Sequence, residues 1–265
     1  MKLGVIGCGK MGRALVGGIV GAGICKAHDV TVYDTYPTAA SSLADELGVA
    51  RAGSNAEVVA ASEVVLLCVK PQGFPEMLAD LITSSDRLLI SIAAGIRLTS
   101  IESGSGGNHR VVRVMPNTPA LIGRGASAYA LGATATEADA ALTESLLGAV
   151  GYVCRVGEDD LDAVTAVSGS GPAYFFFMIE ALIAAGIKEG LTPEMARDLA
   201  VHTAAGAAEL VLATGESPGT LRENVTSPQG TTFAALESFR SNHFEKIVIE
   251  AVTAAADRSR ELGKA

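Results

Sequence analysis

Lys2-Leu3-Gly4-Val5-Ile6-Gly7-Cys8-Gly9-Lys10-Met11-Gly12 stands at the head of the chain, directly after Met1. Lys2–Ile6 is a short apolar run of strand character, and Met11–Val20 repeats its apolar residues with helical spacing. Between them lies Gly-x-Gly-x-x-Gly. The three glycines act differently. Gly7 permits a tight turn, Gly9 lets backbone approach a pyrophosphate, and Gly12 lets helix and strand pack closely. The start of such a helix presents unpaired N–H groups to phosphate. Gly7, Cys8, Gly9, Lys10, Met11 and Gly12 are therefore the expected cradle of a dinucleotide.

Working outward, Val30–Tyr33 reads as the second strand, and Asp34 follows it, 22 residues after Gly12. An acid there binds the adenosine ribose hydroxyls and repels a 2′-phosphate, which favours NADH over NADPH. It can equally cap the turn before Pro37, and the cofactor is carried as NADPH or NADH with a lean towards NADH. Further runs at Val64–Val69, Leu88–Ile92, Arg110–Val114 and Tyr152–Arg155 are nearly all apolar, as strands covered on both faces are. They alternate with amphipathic or Ala-rich stretches such as Thr38–Leu47. Residues 1–157 thus read as an α/β Rossmann-like, doubly wound sheet.

After Gly157 the strand-like runs give way to long Ala-rich segments: Pro172–Ile187, Pro193–Ala213, Thr231–Arg240 and Phe244–Leu262. Thr192-Pro193-Glu194 is a helix start, with Thr as the cap and Pro at the first helical position. Ala200, Ala204 and Ala208 recur every fourth residue and make a flat stripe that admits another helix. Residues 158–265 are the expected all-α second domain.

Composition bounds the function. The chain has 265 residues, 49% of them hydrophobic and 18% charged, so a large core is expected and disorder is not. The net charge of −9, without a run of Lys or Arg, argues against nucleic acid or an anionic membrane as partner. Cys8, Cys25, Cys68 and Cys154 are widely spaced and the four His are scattered, so no metal site is expected and the thiols read as reduced. No signal-peptide layout is seen. The apolar stretch Phe175–Ile187 contains Glu180 and is too short for a span, so the expected location is cytoplasmic.

Three clusters end successive strands: Val69-Lys70-Pro71-Gln72, Ser91-Ile92-Ala93-Ala94-Gly95 and Met115-Pro116-Asn117-Thr118-Pro119. Ligands bind open α/β sheets at that edge, and the small residues Ala93 and Ala94 leave room for a nicotinamide ring. A fourth cluster, Asn224-Val225-Thr226-Ser227-Pro228-Gln229-Gly230-Thr231-Thr232, leads into a helix. Free N–H groups and hydroxyls at a helix start bind a carboxylate without Arg or Lys, while simple capping by Thr231 is the alternative.

Val69–Gln72, Ser91–Gly95, Arg113–Pro119, Ser168–Tyr174 (SGSGPAY) and Asn224–Thr232 together resemble the pyrroline-5-carboxylate reductase family, in its order and over essentially the whole chain. The resemblance implies a Rossmann domain followed by an all-α dimerisation domain, with homo-oligomers formed through the C-terminal helices. It implies reduction of the cyclic imine 1-pyrroline-5-carboxylate to proline, the last step of proline biosynthesis. It places the cofactor on Gly7–Gly12, Asn55, Val69, Lys70, Ala94 and Asn224, and Pro71 and Ala93 of the strand-end clusters are added to that expected cofactor site. It places the substrate carboxylate on Ser227, Gly230, Thr231 and Thr232, with the Thr232 hydroxyl on the ring nitrogen as the catalytic contact. Glu158 matches a family position near substrate, and a helix-start acid accounts for it as well. The family usually has Gly where this chain has Gln229, so the loop either keeps negative φ there or carries strain.

Such a reaction needs alignment more than acid–base equipment, because a protonated imine already accepts hydride. Two other readings are weaker. A β-hydroxyacid-type dehydrogenase uses a Lys within the first long helix of the second domain, and Pro172–Ile187 has none. A non-catalytic redox-sensing Rossmann module has no use for the second ligand loop.

Overall fold

The computed structural model describes residues 1–82 and 86–263; residues 264–265, the end of the expected second domain, lie outside the described residues. The chain forms two compact units, Met1–Ser170 with Ala255–Ala265, and Gly171–Ala254.

The first unit is built on one eight-stranded sheet. Its strands are β1 (Leu3–Ile6), β2 (Val30–Tyr33), β3 (Ala50–Arg51), β4 (Val64–Leu67), β5 (Leu88–Ser91), β6 (Arg110–Met115), β7 (Gly125–Leu131) and β8 (Gly151–Arg155). The order is β3-β2-β1-β4-β5-β6-β7-β8, so the chain reverses direction across the sheet after β3. Strands β1 to β6 are parallel; β7 pairs antiparallel with β6, and β8 pairs parallel with β7. The helices are α1 (Lys10–Gly21), α2 (Pro37–Leu47), α3 (Asn55–Ala61), α4 (Phe74–Ala79), α5 (Leu98–Gly104), α6 (Glu137–Gly148) and the short α7 (Leu161–Val164).

Successive strand residues point to opposite faces, and the core divides accordingly. Leu3, Val5, Val64 and Leu66 join Leu15 and Ile19 of α1, Leu43 of α2 and Leu146 of α6 in one cluster. Ile6, Val65 and Leu67 join Val58 of α3, Met77 of α4 and Ile101 of α5 in the other. The sheet is covered on both faces, as its nearly continuous apolar strands require.

Two strands escape a reading by pattern. β3 has only two residues, and β7 (GASAYAL) is made largely of small residues with weak strand preference. The expected Val64–Val69 is two residues shorter at its end, where Cys68 and Val69 turn into the ligand edge.

The second unit contains α8 (Gly171–Lys188), α9 (Pro193–Thr214), α10 (Pro218–Asn224), α11 (Thr231–Ser241) and the first part of α12 (Phe244–Leu262). Thr192 caps α9, its side chain accepting from the Met195 N–H at 3.3 Å, with Pro193 at the first position. α8 and α9 pack through small residues: a Cβ added to Gly186 would lie 3.2 Å from Cβ of Ala196. Of the expected stripe, Ala200 is buried, Ala204 is half-buried and Ala208 is exposed.

The composition changes after Gly157, yet the compact units divide after Ser170. The segment between is held to the sheet by Leu161, fully buried in the cluster with Ile6 and Val65, and Ala166 is buried as well. Within it, Thr165–Gly169 is one widened turn, in which the Ser170 N–H donates to the Thr165 carbonyl at 2.8 Å. That widening lets one helical run continue from Glu158 to Lys188 over 31 residues, with a mean hydropathy of 1.5 in its most apolar window. The expectation of a stretch too short to span a membrane is thereby corrected. By length and composition this run is long and apolar enough; Pro172 sits in its interior without ending it.

Candidate active site

The carboxyl ends of β1, β2, β4, β5 and β6 lie at one edge of the sheet, because these strands are mutually parallel. The glycine loop follows β1 there. Gly7 has φ +101, and a Cβ on it would lie 2.7 Å from the backbone of Cys68, so loop and β4 end pack backbone to backbone. A Cβ on Gly12 would lie 2.1 Å from the carbonyl oxygen of Gly7. Gly9, the N-cap of α1, has φ −67 and no side-chain cap, and among the described residues nothing but its chain neighbours lies within 4 Å of where a Cβ would stand. The three glycines thus divide into two demanded by the fold and one that keeps space clear in front of the helix start.

Asp34 leaves β2 and turns its carboxylate to this loop. Oδ2 accepts from the Cys8 N–H at 2.7 Å and Oδ1 from the Tyr36 N–H at 2.8 Å. The turn before Pro37 is therefore capped by Asp34, and the same negative charge is fixed against the glycine loop. Cys8 is buried, and burial followed by the Asp34 charge pushes its thiol up to about 12. Burial also raises the Cys68 thiol. Both thiols stay protonated at neutral pH, so the cofactor loop carries no thiolate nucleophile.

Asn55 begins α3, next to Ser54, whose side chain caps that helix by accepting from the Glu57 N–H. The Asn55 amide donates through Nδ2 to Asp80 Oδ2 at 3.0 Å. This bond fixes which end of the amide is oxygen, and Asn55 Oδ1 is buried without a hydrogen-bond partner among the described residues. A buried acceptor without a donor is costly, and a sugar hydroxyl supplies one. The orphaned carbonyl and the clear space at Gly9 fit a dinucleotide at this edge.

Val69 and Lys70 follow β4, and Pro71 starts a single helical turn, Pro71–Gly73. Ala93, buried, and Ala94, half-buried, follow β5, with the Ala93 N–H on Ser91 Oγ at 3.3 Å. The structure therefore brings Gly7–Gly12, Asp34, Asn55, Val69–Pro71 and Ala93–Ala94 to one edge.

Glu158 has another set of partners. Its Oε1 accepts from the Leu98 N–H at the start of α5 at 2.7 Å and from Arg113 Nη1 at 3.1 Å. The helix-start alternative describes these contacts, although the helix concerned is α5 and not its own. Arg113 was not singled out, yet a charge inside the apolar run Arg110–Val114 is a readable signal of a buried partner; its side chain is 6% exposed. The Asn117 cluster has a structural role as well. Its Oδ1 accepts from the Ala126 N–H at 2.8 Å, and its Nδ2 donates to the Ser168 carbonyl at 3.2 Å, tying together the third strand-end cluster and the SGSGPAY motif.

In the second unit, α10 ends at Asn224 and α11 begins at Thr231. The N-cap of α11 is Gly230, with no side-chain cap. Capping by Thr231 is thus set aside: Thr231 and Thr232 occupy the first two helical positions, where N–H groups have no intrahelical partner. The Gly230 N–H donates to the Ser227 carbonyl at 3.0 Å, and a Cβ at 230 would lie 2.3 Å from Ser227 Oγ. Ser227 and Gly230 therefore require each other. Gln229 has φ +60, so the loop takes the strained of the two expected conformations. Gln229→Gly is expected to stabilise the chain by about 1 kcal/mol, raising the melting temperature by roughly 2–4 °C. An unchanged melting temperature in calorimetry would show that Gln229 bears no strain.

The surface of this unit is apolar to a degree unusual for a free domain. Phe175, Phe176 and Phe177 are 69%, 59% and 74% exposed, and Leu212 and Ile249 are 78% and 65% exposed. Large apolar side chains exposed in such number mark an association face.

Comparison with known proteins agrees with both halves. Residues 158–262 match the family model described as pyrroline-5-carboxylate reductase dimerisation, and residues 2–95 match NADP oxidoreductase coenzyme F420-dependent. A pyrroline-5-carboxylate reductase of Arabidopsis thaliana is 42% identical over 265 residues, covering 99% of this chain and 96% of its own. The solved structure of a pyrroline-5-carboxylate reductase from Coxiella burnetii superposes with a TM-score of 0.93 at 35% identity, covering 100% of this chain and 99% of the other. The Plasmodium falciparum pyrroline carboxylate reductase with NADP bound superposes with a TM-score of 0.87 at 33% identity, covering 99% and 98%.

Proposed function

This chain belongs to the pyrroline-5-carboxylate reductase family, and on that premise we propose that it reduces 1-pyrroline-5-carboxylate to proline by direct hydride transfer to the C=N carbon. The observation that carries the reading is the presence in one chain of two helix starts without a side-chain cap, α1 behind Gly9 and α11 behind Gly230. One suits a pyrophosphate and the other a carboxylate. The chain is an oxidoreductase that takes a nicotinamide dinucleotide and a small-molecule substrate, and it forms homo-oligomers. The exposed apolar helices, α8 and α9 foremost, are the proposed dimer face, which also gives the Glu158–Lys188 run a partner other than lipid. The proposed location is cytoplasmic.

A reduced nicotinamide supplies the hydride. The residues act by positioning. Gly7–Gly12, Asn55, Val69, Lys70, Pro71, Ala93, Ala94 and Asn224 are proposed to hold the dinucleotide. Ser227, Gly230, Thr231 and Thr232 hold the carboxylate and the ring nitrogen. Neutral Cys8 and Cys68 take no part. Glu158 is proposed to act on the substrate side through Leu98 and Arg113 rather than as an acid.

Asp34 is proposed to favour NADH, because its anchored charge opposes a 2′-phosphate. Absorbance loss at the reduced-nicotinamide band, with and without 1-pyrroline-5-carboxylate, tests the reaction; imine-independent or absent oxidation by folded protein would defeat it. In the same assay Asp34→Asn is expected to raise the NADPH to NADH ratio of kcat/KM roughly tenfold. An unchanged ratio would leave Asp34 only its turn.

A further inference from the structure

The dimerisation family model runs to Leu262, yet the last part of α12 belongs to the compact unit that carries the cofactor edge. Its contacts there are specific. Ser259 is 4% exposed, and its Oγ donates to Asp162 Oδ1 at 2.6 Å. Leu262 lies on Gly95: a Cβ on that glycine would stand 3.2 Å from Leu262 Cβ and 3.4 Å from the Leu262 backbone carbon. Gly95 has φ +77, so the turn it makes is open to few other residues, and the approach of α12 closes the space as well.

Gly95 directly follows Ala93 and Ala94. The loop they share, residues 92–97, joins β5 to α5 and has few supports of its own. At its start the Ile92 N–H donates to the Leu67 carbonyl at 3.1 Å. At its end Glu158 takes the Leu98 N–H, and Arg97 pairs with Asp159 at 2.5 Å. Asp159 is 93% exposed, so that pair contributes little. In the middle, Ala93 is buried in the core and its N–H donates to Ser91 Oγ at 3.3 Å, and Gly95 is covered by the last turn of α12.

We propose that Ser259 and Leu262 are positioning residues for cofactor binding: the last turn of α12, anchored through Asp162, supports the loop that carries Ala93 and Ala94. The inference rests on the reading that those two alanines line the nicotinamide side. It gives α12 a second role beside assembly, and it makes Asp162 part of the cofactor site without any contact to the cofactor.

The test uses the full chain with Ser259→Ala, Leu262→Ala and the double variant, and Ser259→Thr as the conservative change that keeps the hydroxyl. Hydrogen exchange of the cofactor-free protein is expected to accelerate at amides 93–98 in the double variant, with β1 and β4 unchanged. The dissociation constant for reduced cofactor, read by nicotinamide fluorescence, is expected to rise about fivefold in Ser259→Ala and to recover in Ser259→Thr. The KM for the imine and the kcat at saturating cofactor should stay within about twofold. Unchanged exchange at 93–98, or an equal rise in both KM values, would overturn the proposal. If the double variant fails to fold, the single Ser259→Ala variant decides by the same readings. If the parent chain binds no nicotinamide dinucleotide, the functional reading fails while the exchange result still decides whether α12 supports the loop.

Discussion

Gly12→Ala is expected to weaken dinucleotide binding by on the order of a hundredfold and to destabilise the fold by about 1–3 kcal/mol. The new methyl carbon would stand 2.1 Å from the carbonyl oxygen of Gly7 and 3.2 Å from its carbonyl carbon. Both are backbone atoms, so no side-chain rotation relieves the contact. Either α1 shifts away from the loop or Gly7 leaves its turn at φ +101, which is itself packed against the backbone of Cys68. In both cases the N–H groups at the head of α1 lose their placement. Gly9→Ala is the control. Among the described residues nothing but its chain neighbours lies within 4 Å of its Cβ, and its φ of −67 suits alanine, so the melting temperature should hold. Its affinity for the cofactor should nonetheless fall, since the space that Gly9 keeps clear is the ligand's. Titration of both variants with reduced cofactor, beside thermal denaturation, separates the two roles. Wild-type affinity in folded Gly9→Ala would mean that no pyrophosphate approaches there.

Thr232→Val is expected to lower kcat/KM for the imine by on the order of a hundredfold, the scale seen when one donor to a reacting centre is removed. Stability should change by less than about 0.5 kcal/mol. Gly230, not Thr232, is the N-cap of α11, and no side-chain cap is made there, so the hydroxyl has no capping role to lose. Valine keeps the branched shape and removes the polar atom. Thr232→Ser, which keeps the hydroxyl, should retain most of the activity. Steady-state kinetics at saturating cofactor read the effect directly. A Thr232→Val enzyme with undiminished kcat/KM would remove the hydroxyl from the reaction and leave the carboxylate to the N–H groups alone.

Legibility differed from element to element for physical reasons. β1, β2, β4, β5 and β6 stood out because a strand covered on both faces is apolar at most positions, with Thr31 of β2 and Arg110 and Arg113 of β6 as exceptions. β7 did not: its glycine, alanines and serine carry little strand signal, and Ala128 and Ala130 are buried in the cluster that holds Ile6, Val65 and Leu161. α10 leaves no pattern although Ser217 and Pro218 mark its start, since seven residues with Leu221 as the one large apolar side chain show no apolar face. The division after Ser170 was hidden for a related reason. The composition changes at Gly157, but Leu161 and Ala166 side with the sheet, and burial of two small patches leaves little trace in composition.

By itself the sequence determined the kind of sheet, the place of the cofactor loop and the family, because each rests on local spacing that backbone sterics make nearly obligatory. It also posed the question of Gln229 without answering it. The tertiary structure alone decided that Gln229 sits at φ +60, that Asp34 spends both oxygens on backbone N–H groups, that Glu158 serves Leu98 and Arg113, and that Asn55 keeps one carbonyl waiting for a donor. Cys8 lies 26 residues from Asp34, and Arg113 and Leu98 lie 45 and 60 from Glu158. A linear motif names the group that can form a hydrogen bond; only the packing of distant segments chooses which one it forms.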